Sequence, residues 1–282
     1  MLIRLLLAFL SAGCASAQPI RVVSQTVGSD EMLLALAEPA QIAALSHIAR
    51  DPDFSAVAAE AEKYPSIAQG DAESVLRFQP TLVLFADYSR AELVAQIQRA
   101  GVRVLIFDRY DTLAASYGNL RTLAREIGAE AKAENLITAC EARVADLRRR
   151  LAGAKPVRVL APSNYGLIPG AGTTFQDLCD HAAAENLAAT LGGLRGHVPP
   201  PPERLLTWPA DLLVLAGHDL DAVIATFAKL PPYQFMPALK ERRVALLQPY
   251  MLSCVSHRRI DGYEMLARAL HPEAFAAPGG SR

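Results

Sequence analysis

The sequence predicts an α/β protein with two lobes, each built on a parallel β-sheet covered by helices, joined by a long backbone helix with a ligand cleft between them. Three observations predict this fold. Short apolar runs alternate with amphipathic helical patterns in both halves, a long proline-free helical stretch separates the halves, and one segment of the first half recurs in the second.

The first half alternates predicted strands with predicted helices. Apolar runs predict strands over 21–26, 41–45, 82–86 and 102–107. Apolar residues at helical spacing predict helices over 30–37, 71–78 and 90–100. Because strands separated by helices connect through crossovers, this order predicts a parallel sheet.

A long helical stretch follows, over 112–151, with one weak point at Gly128. Its second part alone is long enough to extend over about 30 Å, which indicates a rigid strut. The second half then repeats the alternation. Strands are predicted over 156–161, 212–216 and 243–248. Helices are predicted over 174–191 and 260–270, and 192–202 is predicted to be an extended surface segment.

The N-terminus has the features of a secretory signal peptide. Arg4 precedes an apolar run over 5–10, and small residues end in Ala15-Ser16-Ala17. We therefore expect cleavage before Gln18 and export of the product in soluble form. An alternative, lipid attachment at Cys14, remains open because Ala12-Gly13 precedes that residue.

The predicted organisation has five parts. They are a signal peptide over 1–17, an N-terminal αβ lobe over 18–111, a helical region over 112–152, a C-terminal αβ lobe over 153–276 and a flexible tail over 277–282. Each lobe is expected to be Rossmann-like, and the helical region contains the backbone helix between the lobes.

Composition excludes two classes of function. The chain has 28 Lys and Arg residues against 29 Asp and Glu residues, a net charge of −1. It therefore lacks the positive charge of a general nucleic-acid binder or of a protein that binds anionic membranes. Of the cysteines beyond the signal peptide, Cys179 and Cys254 either form a disulfide or, with Cys140, are buried free thiols.

One segment recurs in register. The stretch ESVLRFQPTLVLFA at 73–86 matches ERLLTWPADLLVLA at 203–216, so that Glu73 aligns with Glu203 and Phe78 with Trp208. Each copy predicts a short helix, a turn with proline and a strand, and Trp208 is predicted to lie in the core. A glutamate at a helix start gains from the helix dipole, which is the purely structural explanation of the match.

Several motifs resemble those of a known family. They are VGSDE at 27–31, DAESVL at 71–76, QPTLVL at 79–84, GVRV at 101–104, GTTFQD at 172–177 and AENLA at 184–188. With the two-lobe layout, they resemble the class III, helical-backbone periplasmic substrate-binding proteins of ABC importers, which carry cobalamin, haem and ferric siderophores. The resemblance covers nearly all of the chain beyond the signal peptide.

The resemblance implies a partner and a location. In that family one glutamate on each lobe docks into arginine pockets of the two permease subunits, and the matching positions are Glu73 and Glu203. The protein is then a periplasmic monomer that docks on an ABC importer permease dimer in the inner membrane.

Loops that follow the predicted strands supply the candidate ligand contacts, because ligands bind at the carboxyl ends of parallel strands. The candidates are Asp87, Tyr88, Arg109, Tyr110, Tyr165, Tyr250, His257 and Arg259. Tyrosines suit a large planar macrocycle, and arginines suit carboxylates. No metal bound directly by the protein is predicted, although His257 is a possible axial ligand of a metal centre inside a bound chelate.

The expected ligand is a corrinoid such as cobalamin, because the loops combine aromatic residues with few charges. Haem and ferric siderophores are the alternatives within the same class, and no intrinsic cofactor is expected. A different class, an exported metal-cofactor enzyme, would have to use Asp87, Asp108, His218 or His257. The sequence contains no G-x-S-x-G motif, so no hydrolase nucleophile is apparent.

Overall fold

The computed structural model describes residues 19–276. The predicted signal peptide, the lipid alternative at Cys14 and the predicted tail over 277–282 lie outside the described residues. Two separate four-stranded parallel sheets form the two lobes, which confirms the predicted fold class.

The first lobe is built on strands β1 to β4 and helices α1 to α4. Its strands are β1 (Val22–Ser24), β2 (Ile42–Ala44), β3 (Leu82–Ala86) and β4 (Arg103–Phe107). Its helices are α1 (Val27–Leu36), α2 (Ala58–Ala61), α3 (Ala72–Leu76) and α4 (Ala91–Arg99). The sheet order is β2-β1-β3-β4, and β3 is buried along its whole length because its alternate side chains pack into hydrophobic clusters on both faces of the sheet.

Two helices connect the lobes, α5 (Leu113–Ile127) and α6 (Glu130–Arg150). The break falls at Gly128, whose φ of 72° is the left-handed conformation that glycine adopts at helix ends. The chain reverses there, and Arg121 of α5 pairs with Glu134 of α6 at 2.7 Å. The backbone element is therefore α6, whose 21 residues give a length of about 30 Å.

The second lobe is built on the remaining elements. Its strands are β5 (Val157–Leu160), β6 (Ile168–Pro169), β7 (Ala184–Asn186), β8 (His197–Val198), β9 (Leu212–Ala216) and β10 (Val244–Leu247). Its helices are α7 (Thr174–His181), α8 (Leu187–Thr190), α9 (Pro202–Leu205), α10 (Leu220–Phe227), α11 (Pro237–Lys240) and α12 (Arg259–Leu270). The main sheet has the order β10-β9-β5-β7, and β6 and β8 form a small antiparallel ribbon.

Both main sheets have the same topology. The first sheet has the order β2-β1-β3-β4. In the second sheet the strands along the chain are β5, β7, β9 and β10, and their spatial order is β7-β5-β9-β10, so in both sheets the spatial order is second, first, third and fourth strand. The recurring sequence segment forms α3 and β3 in one lobe and α9 and β9 in the other, and β3 and β9 are both third strands. The internal repeat is thus a repeat of structure, and Trp208 is buried as predicted.

The predicted helix over 174–191 is wrong in its middle, over 182–186, whereas 174–181 and 187–190 are helical. Helix α7 ends at His181, Ala183 has a positive φ of 51°, and 184–186 form strand β7 beside β5. The alanine-rich sequence favours a helix, but pairing with the sheet edge outweighs that local preference. Helix α10 and the β6–β8 ribbon were not predicted.

A single hydrophobic cluster extends through both lobes. It includes Leu33 of the first lobe, Leu120 of α5, and Phe175 and Tyr263 of the second lobe. The cysteines Cys140, Cys179 and Cys254 are buried and free, so the alternative of a Cys179–Cys254 disulfide is not realised. Between residues 19 and 276, none of the helices combines the length and apolar character needed to cross a bilayer.

Candidate functional site

The candidate site is the cleft where the carboxyl ends of the two sheets meet. The lobes approach each other closely at one side, where a Cβ added to Gly28 would lie 2.3 Å from Cγ2 of Val255. Beside this contact, Ser256 donates a hydrogen bond of 2.5 Å to the carboxylate of Glu31, and Ser116 donates one of 2.7 Å to the carbonyl of Val255. Only a glycine allows the first helix to pack this tightly against the second lobe.

A pair of aromatic rings stands on the first-lobe side of the cleft. Tyr88 follows β3, Tyr110 follows β4, and their ring centroids are 5.9 Å apart in an edge-to-face arrangement at 83°. The Tyr110 hydroxyl donates a hydrogen bond of 2.8 Å to Oδ1 of Asp87. Burial together with this bond raises the pKa of Tyr110 to about 12. We call Asp87, Tyr88 and Tyr110 the tyrosine cluster.

Tyr88 is the exposed member of the tyrosine cluster. Its side chain is 62% exposed, and its phenol lies beside the hydroxyl of Thr26, the residue that caps α1. Partial desolvation of the phenol and the nearby charges of Asp87 and Asp30 raise the pKa of Tyr88. In the free protein this phenol is therefore neutral at pH 7 and available to a ligand.

Buried hydroxyl groups lie beneath Tyr88. Ser29 forms hydrogen bonds of 2.8 Å with Thr26 and 2.7 Å with Ser24. Asp30, fully buried next to them, accepts two hydrogen bonds from Ser46, from its backbone N–H and from its hydroxyl. Burial raises the pKa of Asp30 to about 6 in spite of these bonds.

Two further aromatic side chains are exposed on loops that follow strands. Tyr165, on the loop after β5, is 82% exposed, and Phe54, on the loop after β2, is 53% exposed. Sequence reasoning named Tyr165 but missed Phe54. The signal was present, since Phe54 follows the polar turn Asp51-Pro52-Asp53, where a large apolar residue has no partner in the strand pattern.

One contact bridges the two lobes at the cleft mouth. Nε2 of His218, after β9, lies 2.6 Å from Oδ1 of Asp53, on the same loop as Phe54. Both side chains are more than half exposed. The contact therefore joins the loops that border the cleft without being part of the core.

Arg109 is exposed on the loop after β4, next to Tyr110 in the chain. Its carbonyl accepts a hydrogen bond from Asn119, which fixes the backbone of the loop. Within residues 19–276 its guanidinium takes part in none of the ion pairs, which include those of Arg121, Arg143 and Arg158. This cation is therefore available to an anionic group of a ligand.

His257 and Arg259, predicted as ligand contacts, are interior residues. Arg259 is 2% exposed and pairs with Asp177 at 2.8 Å, and it also donates hydrogen bonds to the carbonyls of Tyr110 and Asp111. His257 is 5% exposed, and burial together with the Arg258 charge lowers its pKa to about 4. Neither side chain is exposed to a ligand, because the second lobe packs over both.

The other predicted contact of the second lobe, Tyr250, is half-buried against the core shared by the lobes. Burial raises the pKa of its hydroxyl. Asp87 is exposed but is engaged by Tyr110. Of the predicted ligand contacts, the structure thus brings Asp87, Tyr88 and Tyr110 together, leaves Arg109 and Tyr165 exposed on neighbouring loops, and places Tyr250, His257 and Arg259 partly or wholly inside.

Glu73 and Glu203 occupy matching positions outside the cleft. Glu73 is the second residue of α3 and Glu203 is the second residue of α9, and both are exposed. In the described part of the chain neither carboxylate takes part in an ion pair, whereas Glu126, Glu134 and Glu264 do. Residues 19–276 contain no group of three or more His, Cys, Asp and Glu side chains arranged to hold a metal ion.

The chain matches the sequence profile of a known protein family. A profile described as periplasmic binding protein matches residues 22–251. The chain is 24% identical, over 213 residues and 72% of its length, to an uncharacterized ABC transporter substrate-binding lipoprotein, YvrC, of Bacillus subtilis. The match spans 66% of that relative, slightly less than two thirds of its length.

The fold matches solved structures of similar size. The periplasmic haem-binding protein RhuT from Roseiflexus sp. RS-1, in its apo form, has a TM-score of 0.79 at 24% identity, over 91% of this chain and 100% of that one. A periplasmic haem-binding protein from Pseudomonas aeruginosa has a TM-score of 0.76 at 24% identity, over 94% of this chain and 96% of that one. At this identity the likeness establishes the fold.

Proposed function

Because the chain belongs to the periplasmic binding protein family, we propose that it captures haem in the cleft between its lobes and delivers it to an ABC importer. The observation that carries the choice of ligand is the exposed side chain of Tyr88, which follows the carboxyl end of β3. The solved structures of similar fold that are described as haem-binding support the same choice.

Tyr88 supplies a ligand for ferric iron. A phenolate is one of the protein ligands that hold haem iron, and a haem whose axial position is open can accept it. The bond forms between the phenol oxygen and Fe(III), and the phenol proton leaves to solvent. Since the pKa of the free phenol is raised, the iron itself has to drive this deprotonation.

The rest of the cleft suits the other parts of the ligand. Arg109 has an unpaired guanidinium next to the tyrosine cluster, and a guanidinium binds carboxylates such as the two of haem through paired hydrogen bonds. Tyr165 and Phe54 offer exposed rings, which can stack on a flat macrocycle. We assign Tyr88 to the metal, Arg109 to a carboxylate and the two rings to the macrocycle.

The sequence favoured a corrinoid, and the geometry leads us to rank haem above it. A cobalamin carries its own axial ligands and amide side chains, so it needs neither a free phenol nor an unpaired arginine. The buried position of His257 also removes the imidazole expected to reach the metal. Cobalamin remains an outcome of the test, as does a ferric siderophore.

Delivery requires a second surface. We propose that Glu73 and Glu203 dock on the two subunits of a permease dimer, because they are exposed and unpaired and occupy matching positions in the two lobes. A core cluster that runs through both lobes favours a small hinge movement over wide closure. Release then follows when the docked permease draws the lobes apart.

We propose a monomer exported through the signal peptide at 1–17, with a lipid anchor at Cys14 as the alternative.

The purified protein is to be titrated with haemin, cyanocobalamin and a ferric siderophore, with binding followed by visible absorption and by thermal unfolding. A bound ligand at a hundred times its Kd adds about 2.7 kcal/mol to the free energy of unfolding. We expect haemin to bind and Tyr88→Phe to change the spectrum of the bound ferric haem. Tyr64→Phe, on a half-buried ring packed against the core, is the matched control. Stabilisation by cobalamin or siderophore alone would disprove the haem assignment.

An exported enzyme on the same fold is the competing class. Three of the four groups that an enzyme would use are engaged or buried: Asp87 is hydrogen-bonded to Tyr110, His218 is hydrogen-bonded to Asp53, and His257 is buried. Among the described side chains, the fourth group, Asp108, is exposed and has no hydrogen bond. Recovery of haemin chemically unchanged after binding and extraction supports a binding protein, and a modified macrocycle would support the enzyme.

A further inference from the structure

We propose that Tyr110 is a positioning residue that fixes the orientation of Tyr88 and links it to the packing of the second lobe. This inference rests on the proposed function and deepens it, because it assigns to Tyr110 and Asp87 a role that does not require contact with the ligand. Three contacts carry it, and they form one continuous path.

The first contact is the one between the two rings. Tyr88 is 62% exposed, so apart from the Thr26 hydroxyl beside its phenol, its ring has little packing to select one side-chain conformation. The Tyr88 ring packs edge-to-face against the ring of Tyr110, with 5.9 Å between the centroids. An aromatic pair of this kind contributes about 0.5–1.5 kcal/mol beyond its buried area, which is enough to favour one conformation over its alternatives.

The second contact holds Tyr110 at its hydroxyl end. Its hydrogen bond of 2.8 Å to Asp87 connects the loop after β4 to the loop after β3. Asp87 directly precedes Tyr88, so the same bond restrains the backbone from which the Tyr88 ring projects. Ring and backbone of Tyr88 are therefore both restrained by one residue.

The third contact holds Tyr110 at its backbone. Arg259, at the start of α12, donates hydrogen bonds to the carbonyl of Tyr110 and, at 3.2 Å, to that of Asp111. Arg259 is fixed in turn by its buried pair with Asp177 of α7. Through Arg259, the second lobe is thus hydrogen-bonded to the loop after β4, which carries Tyr110 and supports Tyr88.

This path has a consequence for release. When the lobes separate, the bonds from Arg259 to the Tyr110 and Asp111 carbonyls have to lengthen, because the donor and the acceptors belong to different lobes. Tyr110 is then less restrained, and so is the ring that binds the metal. The bond between the Tyr88 oxygen and the iron is therefore most stable while the lobes are together and becomes weaker as the lobes separate.

The test compares variants that remove one element of the path at a time. Tyr110→Phe keeps the ring and removes the bond to Asp87, and Asp87→Ala removes the acceptor. Asp87→Asn keeps an acceptor oxygen and removes the charge. Substitutions behind metal ligands typically weaken metal binding by about 10- to 100-fold. We therefore expect haem to dissociate about 10- to 100-fold faster from Tyr110→Phe and Asp87→Ala, and less than about threefold faster from Asp87→Asn.

The readout has two parts, dissociation of haem to an excess of a haem scavenger and the ferric electron paramagnetic resonance spectrum. A broadened or mixed spectrum in Tyr110→Phe, with an unchanged free energy of unfolding, supports positioning, because the spectrum reports the geometry of the ligand at the iron. Wild-type values for both Tyr110→Phe and Asp87→Ala would overturn the proposal. Asp87→Asn as severe as Asp87→Ala would also overturn it, because the charge would then be what acts.

A measurement on the ligand-free protein separates this proposal from the haem assignment. With 3-fluorotyrosine in place of tyrosine, the fluorine resonance of position 88 is identified as the one lost in Tyr88→Phe. We expect it to broaden or split in Tyr110→Phe and in Arg259→Lys, and to be unchanged in Tyr64→Phe. If haemin fails to bind, the haem assignment fails, but this resonance still tests the positioning role. An unchanged resonance in Tyr110→Phe overturns that role alone.

Discussion

Nε2 of His218 and Oδ1 of Asp53 lie 2.6 Å apart and connect the two lobes at the mouth of the cleft. Both side chains are more than half exposed, so the contact adds little to stability, about 0.2–1 kcal/mol for a pair of this kind. Its position matters more than its strength, because a ligand that enters on this side has to pass it.

We therefore predict that Asp53→Ala and His218→Ala accelerate ligand entry and exit together. Because one and the same contact is lost in both, the double variant should be no faster than either single variant. Stopped-flow mixing with haemin measures entry, and transfer to a scavenger measures exit. His197→Ala, on an exposed histidine of β8, is the control. Additive effects of the two substitutions would show that the contact is not what limits passage.

Asp30 predicts a pH-dependent stability. Burial raises its pKa from 3.8 to about 6, so the folded state keeps this proton to a higher pH than the unfolded chain. The resulting stabilisation is complete below pH 3.8 and is lost as the pH rises through 6. Above that pH the buried charge costs up to about 3 kcal/mol.

Asp30→Asn should therefore raise the free energy of unfolding at pH 8, by up to about 3 kcal/mol, and raise it less at pH 5. Urea unfolding at the two pH values measures the difference. Asp108→Asn, at an exposed aspartate in the first lobe, serves for comparison and should show no such trend. An equal effect of Asp30→Asn at both pH values would mean that Asp30 stays protonated or stays charged throughout.

The buried pair of Arg259 and Asp177 predicts strong coupling. Removal of one partner leaves the other charged and buried, at a cost of about 3–5 kcal/mol. We expect Arg259→Met and Asp177→Asn each to destabilise the protein, and the double variant to lose much less than the sum. Chemical unfolding of the four proteins gives the coupling energy. Simple additivity would contradict direct pairing of the two side chains.

Glu73 and Glu203 predict a loss of transport that leaves ligand binding intact. Each exposed ion pair with a permease should contribute about 0.2–1 kcal/mol, so a single Ala substitution should lower uptake up to about fivefold and the double substitution up to about 30-fold. Uptake in cells and haemin affinity in solution are measured side by side. Substitution of Glu92 and Glu130, exposed glutamates elsewhere, is the control. Equal loss of uptake and affinity would indicate a role in folding instead.

The architecture could be predicted because it depends on patterns that are local in sequence. Runs such as 82–86 and 212–216 are apolar throughout, as buried parallel strands have to be, and their bounds are correct. Strand β7 could not be predicted, since its three residues gain their conformation from pairing with β5 and have no strand pattern of their own.

The positions of the candidate residues on loops after strands were predictable, but the contacts that these residues make were not. Tyr88 and Tyr110 follow β3 and β4 as expected, but nothing in their spacing shows that one ring supports the other. Arg259 has the sequence context of a ligand contact, after a strand and beside His257 and Arg258. Its true partner, Asp177, lies 82 residues away and belongs to a helix that packs on α12 only after folding.

The shared strand order of the two sheets gives the molecule two ends of almost the same construction. A partner made of two identical halves would meet a similar surface on either side, whichever way round the molecule arrived. Such a partner could therefore bind the molecule in either of two opposite orientations. The two ends differ in the β6–β8 ribbon, which only the second lobe has, and in the loops that follow the strands of each sheet.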